Sequence, residues 1–348
     1  MKALLLVGGK GTRLRPLTDR LPKPMVPVMG RPLLERTLET LRRHRVDEIV
    51  LSTCYKSECI RRYFGDGSEL GLKIHYAQED FPLGTGGAVK NAENYFTEPF
   101  FVLNADILSN IDFGEMMRFH RRKKAGVTIA VTQVKNPSAY GVIETDEDGY
   151  AASFREKPKQ TASHLINAGA YVFDPDVLRR IPSGRAVSVE REVFPKLLED
   201  GRRIAVYQGC DYWLDIGTPE KYVQAHRDAF VGKLRLPEVS FSRHAVYSRR
   251  NAQISGTALI RGPVYLGRDV RIMNGAVVGP YAVIGDDCII GNQCEVSSCL
   301  LWNRVAVESG TKMAECIVTD DCRIQNMPRC RRMIYTPDTL EAAQDEAI

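Results

Sequence analysis

The sequence predicts an α/β protein in two parts: a doubly wound domain with a mixed sheet, then a C-terminal left-handed parallel β-helix. Three observations predict it. Apolar runs of strand length alternate with helical patterns over the first two thirds, apolar residues recur every six positions beyond residue 250, and a glycine-rich turn, "GGKGTRL", follows the first apolar run. At 348 residues the chain is long enough for two domains, each with its own core.

"KALLLV" is a short apolar run bounded by glycine, the pattern of a buried strand. After Pro32, "LLERTLETLRRHR" reads as a helix with proline near its start. "EIVLSTC" reads as strand, "SECIRRYF" as helix, "LKIHYAQE" as strand, "TGGAVKNAENYF" as helix and "FFVLNAD" as strand; the helical "FGEMMRFHRR" and the strand "GVTIAVTQV" follow. Strands joined by helical crossovers imply a mostly parallel sheet. From about 140 the pattern loosens. "YGVIETDEDGYAASF" suits a hairpin turning at Asp148-Gly149, and "INAGAYVF" another strand. Short helices near 176–181 and 190–200, the strand "IAVYQG" and the helix "TPEKYVQAHRDAF" complete a first domain over 1–235.

A linker over 236–250, a β-helix over 251–325 and a tail over 326–348, with a short helix in "DTLEAAQDEAI", are expected to follow. In steps of six stand Ile254, Ile260, Leu266, Ile272, Val278, Ile284, Ile290 and Val296, and two residues before each stands an alanine, valine or cysteine. Such a register marks coils in which each six-residue face contributes one strand. The phase breaks at Trp302, which suggests an inserted loop or a capping coil. Cysteines at 288 and 294, and at 316 and 322, are also six apart; we read them as small inward residues stacked on one face. Metal ligation would need convergent partners, and residues 251–325 contain no histidine.

The formal charge is only +5, with basic residues scattered among acids, which argues against a nucleic-acid surface. No apolar stretch approaches the ~20 residues that span a bilayer, and "ALLLV" is too short for a signal peptide. Nine cysteines without paired short spacing read as reduced thiols, so the expected compartment is the cytoplasm.

Backbone N–H groups of a glycine-rich turn after a strand can converge on an anion. Gly8, Gly9 and Gly11 permit close approach. A dinucleotide fingerprint would want glycine where Leu14 stands, and a Walker A motif is absent. What remains is a loop followed by Arg13 and Lys23, with Pro16, Pro22 and Pro24 stiffening the segment between them, suited to wrapping a triphosphate.

"GGKGTRLRPLT…PKP" resembles the signature of the sugar-phosphate nucleotidylyltransferases, the nucleoside-diphosphate-sugar pyrophosphorylases. "PLGTGGA", "LNAD", "YGV", "REKP", "INAG" and "WLDIG" agree in order along residues 1–230, and "SVEREVFPKL" and "YWLDIGTPEKY" look most similar to mannose-1-phosphate guanylyltransferases. The resemblance implies a Rossmann-like nucleotidyltransferase domain and attack of a sugar-1-phosphate on the α-phosphorus of a nucleoside triphosphate.

It implies these roles. Arg13 and Lys23 neutralise the triphosphate beside backbone donors at Gly8, Gly9, Gly11 and Thr12. Asp106 and Asp215 hold Mg²⁺. Lys157 binds the sugar phosphate, Glu156 and Asn167 take sugar hydroxyls, Gly141 leaves room for the ring, and Glu190 and Arg191 join the pocket. The base lies against Leu6, with Gln78 or Glu79 at its edge and Gly84, Thr85 and Gly87 meeting it through the backbone. A carboxylate at 79 suits guanine, hence GTP; Gln78 would instead suit uracil or thymine, leaving a glucose-1-phosphate thymidylyl- or uridylyltransferase as the rival.

Two further readings are weaker. An acyltransferase site in the coils would need a histidine base, and the coils have none. A non-catalytic regulatory subunit would not require Arg13, Lys23, Asp106, Lys157 and Asp215 together. The coils are therefore expected to pack subunits into a homo-oligomer.

Overall fold

The structure, a computed structural model, describes residues 1–9, 11–54, 56–236, 242 and 244–340. The chain divides into two compact units: Met1–Gly11, Leu21–Met25 and Leu33–Asp215 form one, and Thr12–Arg20, Val26–Pro32 and Ile216–Ile348 the other.

In chain order the elements are β1 (Lys2–Leu6), the second unit's two-residue strands β2 (Pro27–Val28) and β3 (Arg31–Pro32), α1 (Leu33–Arg43), β4 (Glu48–Thr53), α2 (Ser57–Phe64), β5 (Lys73–Gln78), α3 (Gly84–Asn91), β6 (Phe100–Asn104) and β7 (Ile107–Ser109). Next come α4 (Phe113–Lys123), β8 (Val127–Gln133), β9 (Gly141–Thr145), β10 (Ala151–Glu156), β11 (Leu165–Phe173), α5 (Phe194–Glu199), β12 (Ile204–Tyr207), β13 (Trp213–Asp215) and α6 (Pro219–Phe230).

The first unit's large sheet runs β10-β9-β11-β6-β1-β4-β5, with β8 on β11 and β12 on β8. β6, β1, β4 and β5 are parallel, whereas β11 meets β6 and β8 antiparallel, so the sheet is mixed. Alternation along β1 decides which face each residue serves. Ala3 and Leu5 join a core with Leu34, Leu38 and Leu41 of α1 and Met116 and Met117 of α4. Leu4 faces the other way, towards Val89 of α3 and Phe194 and Leu197 of α5. Helices on both faces make the sheet doubly wound, as expected.

Local differences have local causes. The segment expected as a helix over 190–200 is a π-type turn, Val189–Val193, running into α5, whose first turn contains Pro195. Pro175–Arg180 is a 3-10 helix entered through Asp174, whose side chain accepts from Asp176 N. β7 and β13 were not anticipated; each has three residues, too few to show alternation, and they pair with Asp215 opposite Ile107.

In the second unit Thr12–Leu14 is a 3-10 turn. α6 is capped by Thr218 and has Pro219 at its first position. Sequence order attaches α6 to the first domain, but its contacts lie with the coils. Tyr222 donates to Pro27 O at 2.6 Å and accepts from the Trp302 indole at 2.9 Å.

The remaining strands form three parallel sheets, each strand pairing with one a full coil later, which is the expected left-handed β-helix. Coils run from Val246 to Tyr335, starting inside the expected linker and continuing past the expected end at 325. The phase break at Trp302 is neither an inserted loop nor a cap. Val264 pairs with Ala282, 18 residues on, but Val283 pairs with Leu300 and Leu300 with Ile317, 17 residues on. The three-residue corner Gly279–Tyr281 shrinks to Ser297-Ser298 and then to Ala314-Glu315, and the residue closing each corner keeps a positive φ (Tyr281 58°, Ser298 51°, Glu315 58°). One residue dropped per coil shifts the sequence phase while preserving the stack. Residues six apart therefore lie on successive faces of one coil, not on one face, which corrects the cysteine reading. Cys299 stacks with Cys316 in the next coil, and Cys288 lies between Val270 and Val305; the coil cysteines are free and buried. Residues 337–340 are helical, and the rest of the expected terminal helix lies outside the described residues.

Candidate active site

Parallel strands β1, β4 and β6 end together, and the loops leaving them enclose a crevice of about 370 Å³ in the first unit. Such a switch point is where open α/β sheets place ligands. Leu6, Gly8, Gly9, Lys23, Glu79, Gly84, Thr85 and Asp106 line it as the sequence led us to expect; Cys54 and Asn104 also do and were not anticipated. Cys54 and Asn104 follow or end the strands flanking β1, so the sheet order alone would have found them.

The opening glycines serve different ends. Gly11 has φ +62°, a conformation side chains rarely adopt. A Cβ on Gly9 would meet nothing within 4 Å, and one on Gly8 only ordinary contacts from 3.5 Å outward. Protein packing does not demand glycine at these two positions; they leave open the space beside the crevice. Thr12 and Arg13 belong to the second unit, where both are exposed.

Lys23 sits in a 3-10 turn between Pro22 and Pro24. Its side chain is only 7% exposed, and Nζ lies 2.6 Å from Asp106 Oδ2 and 3.6 Å from Asp215 Oδ1. The β7–β13 pairing explains the convergence: Asp106 immediately precedes β7 and Asp215 ends β13 opposite its first residue. Two carboxylates from distant sequence thus aim at one cationic point. Among the described residues no group of three or more His, Cys, Asp or Glu could hold a metal, so any ion here would complete its shell with substrate oxygens and water. Mg²⁺ is suited to that, since it is commonly held by one or two carboxylates plus phosphates.

Around the loop after β5, the structure gives Glu79 partners within the protein and places Gln78 and Gly87 outside the crevice lining. Glu79 lines the crevice, but Oε1 accepts from Ser52 Oγ at 2.8 Å and Oε2 from Leu83 N at 2.9 Å, so the carboxylate also pins the 79–83 loop to β4. Gln78 is exposed and its amide oxygen accepts from Thr53 Oγ1 at 3.2 Å; it is not in the crevice lining. Gly87 does not line the crevice either: a Cβ there would stand 2.9 Å from Leu83 Cβ and 3.0 Å from Arg185 O. The close packing of α3 on 185–187, where Gly86 N and Gly87 N donate to Val187 O, requires that glycine.

Beyond Thr85 a polar chain runs through the interior. Thr85 Oγ1 donates to Glu190 Oε2 at 2.7 Å, and Tyr171 OH donates to Glu190 Oε1 at 3.3 Å. Asn167 Nδ2 donates to Tyr171 OH at 2.8 Å, and Asn167 Oδ1 accepts from Gly169 N. Glu190 is therefore tied to Asn167 through fully buried Tyr171, which the sequence reading did not single out. Glu156 ends β10 opposite Gly141, where a Cβ would meet Phe154 Cζ at 2.6 Å and Glu156 Oε2 at 2.9 Å. Burial pushes the Glu156 carboxyl above its ordinary value against the pull of Lys157, with Glu190 adding to the rise. Lys157 is well exposed, with Nζ 3.6 Å from Glu156 Oε1. Arg191 N donates to Ser188 Oγ within the same turn.

A crevice at the carboxyl ends of the parallel strands defines a class of protein, the open α/β proteins whose ligand site lies at that edge of the sheet. The chain belongs to the nucleotidyl transferase family, whose model matches residues 2–230, and residues 260–340 match the GMPPB C-terminal domain model. It is similar to mannose-1-phosphate guanylyltransferase of Mycobacterium tuberculosis, 42% identical over 280 residues covering 80% of this chain and 76% of that protein. A probable mannose-1-phosphate guanylyltransferase 2 of Oryza sativa is 35% identical and covers 98% of this chain and 93% of its own. UTP–glucose-1-phosphate uridylyltransferase of Synechocystis is also 35% identical, covering 80% and 77%. Among solved structures, HddC of Yersinia pseudotuberculosis complexed with GMP-PN superposes with a TM-score of 0.56 at 31% identity, over 64% of this chain and 97% of that one.

Proposed function

We propose that the protein transfers the guanylyl group of GTP to mannose-1-phosphate, releasing pyrophosphate and GDP-mannose. The observation that carries the reading is the convergence of Asp106 and Asp215 on Lys23, which together with Asp106 lines a glycine-flanked crevice. Attack by an already anionic phosphate needs no general base; the barrier is repulsion between polyanions, so positioning and charge neutralisation dominate. Gly8 and Gly9 leave room for the triphosphate beside the backbone, and Lys23 supplies fixed positive charge. Asp106 and Asp215 would hold Mg²⁺, which would supply further neutralisation of the phosphate charge. Lys157 would take the sugar phosphate, with Glu156 and Asn167 on the sugar hydroxyls and Gly141 sparing room beside Glu156.

The choice of mannose and guanine follows the similarity to the guanylyltransferases. The uridylyltransferase relative makes glucose-1-phosphate with UTP the alternative pair. Incubating the protein with each triphosphate and sugar phosphate, and measuring pyrophosphate, separates them: GTP with mannose-1-phosphate should be the best pair, and its ranking among the poorest would overturn the assignment. We further propose that the coils pack subunits into a homo-oligomer in the cytoplasm. Light scattering at micromolar concentration should give a multiple of 39.0 kDa, and a monomeric mass would contradict it. Among the described residues no helix is long and apolar enough to cross a membrane.

A further inference from the structure

A second cavity of the first unit, about 810 Å³, opens at the opposite end of the sheet from the crevice. Pro99, immediately before β6, lines it, whereas Asn104 and Asp106 at the far end of β6 line the crevice. The length of β6 separates the two by roughly 17 Å.

Cations reach this cavity from three separate segments. Arg121 and Lys124 come from the C-terminal end of α4, Arg179 and Arg180 from the 3-10 helix after β11, and Arg202 and Arg203 from the turn before β12. Two carboxylates, Asp174 and Asp176, share the lining. Arg179 pairs with Asp176 and Arg180 with Asp200, each at 3.1 Å, and Arg203 lies over the Tyr150 ring. Among the described residues Arg121, Lys124 and Arg202 make no ion pair. A helix dipole accounts for basic residues in the last turn of α4, but not for cations gathered from three segments around one hollow. His120 also lines the cavity at 3% exposure; its Nδ1 bonds to Thr128 Oγ1 at 2.9 Å, which leaves the other ring nitrogen outside that bond.

We propose that this cavity binds a small molecule carrying at least two phosphate groups. Its volume lies within the range of small-molecule sites. Guanidinium groups bind phosphate oxygens in pairs, and the unpaired cations stand on different elements, Arg121 and Lys124 on one and Arg202 on another, which suits two separated anions. No residue lines both this cavity and the crevice, so the two sites are separate.

Calorimetric titration of the full chain with glucose 1,6-bisphosphate, in EDTA, tests this. Wild type and a Lys157→Ala variant should bind one equivalent alike, while R121E/R202E should bind at least tenfold more weakly. Glucose 6-phosphate should bind wild type at least tenfold more weakly than the bisphosphate. If the charge reversal perturbs folding, R121Q/R202Q must show the same loss. Absence of binding to wild type, binding lost in Lys157→Ala, binding unchanged in R121E/R202E, or equal affinity for mono- and bisphosphate would each overturn the proposal. None of these outcomes depends on the nucleotidyl-transfer assignment, which is read from pyrophosphate release.

Discussion

Lys23 and Asp106 form a 2.6 Å ion pair in which the lysine side chain is almost wholly buried and the aspartate partly exposed. Burying a lysine without a partner is costly, so the pair, reinforced by Asp215, holds Lys23 in the crevice wall. Asp106→Asn keeps the shape but removes the charge. It should lower turnover at least 100-fold, about 2.7 kcal/mol of barrier, with an unchanged far-UV circular dichroism spectrum. Retained turnover would refute the assigned role.

Tyr171 tests the interior network. Tyr171→Phe deletes the hydroxyl that accepts from Asn167 and donates to Glu190. A buried polar group left without its partner costs about 1–3 kcal/mol, and here the loss falls on the residues assigned to the sugar. KM for the sugar phosphate should rise several-fold with KM for the triphosphate nearly constant. Equal changes in both would point to a general packing defect.

Glu156 makes stability depend on pH. Its folded-state pKa is raised above the ordinary 4.5 by burial. The folded chain therefore holds this proton more tightly than the unfolded chain, and the stabilisation is fully present below about 4.5 and lost as pH rises through the raised value. Glu156→Gln removes the dependence. The melting temperature of the variant minus that of wild type should grow as pH rises from about 4 to about 7; a constant difference would mean the carboxyl is not perturbed.

Coil positions differ by burial. Ile290 is fully buried in the β-helix core, whereas Ile254, at the equivalent place in an early coil, is 41% exposed. Ile290→Ala should destabilise by about 2–5 kcal/mol and Ile254→Ala by far less, as measured by urea unfolding. Equal effects would contradict the stacked register.

Much of the fold was legible because its elements are long enough to show a period. β1, α1 and α4 declare themselves by apolar spacing, and the coils by their six-residue step. What escaped was short or non-local. β7 and β13 have three residues each, and only their pairing brings Asp215 to Asp106. The phase break at Trp302 resembled an insertion because a corner shortened by one residue shifts the sequence without shifting the stack. Glycine was ambiguous for a physical reason: Gly8 lines the open crevice whereas Gly87 makes room for the 185–187 backbone, yet both appear in glycine-rich strings. Sequence could not show that Glu79, one of the two residues expected at the base edge, also accepts from Ser52 Oγ and Leu83 N.

The most direct measurement of the central claim is equilibrium binding of GTP, with and without magnesium, to wild type and to Lys23→Ala. The account predicts binding that magnesium strengthens and that Lys23→Ala weakens at least tenfold. No detectable binding to wild type with magnesium present, or an affinity indifferent to the lysine, would contradict it.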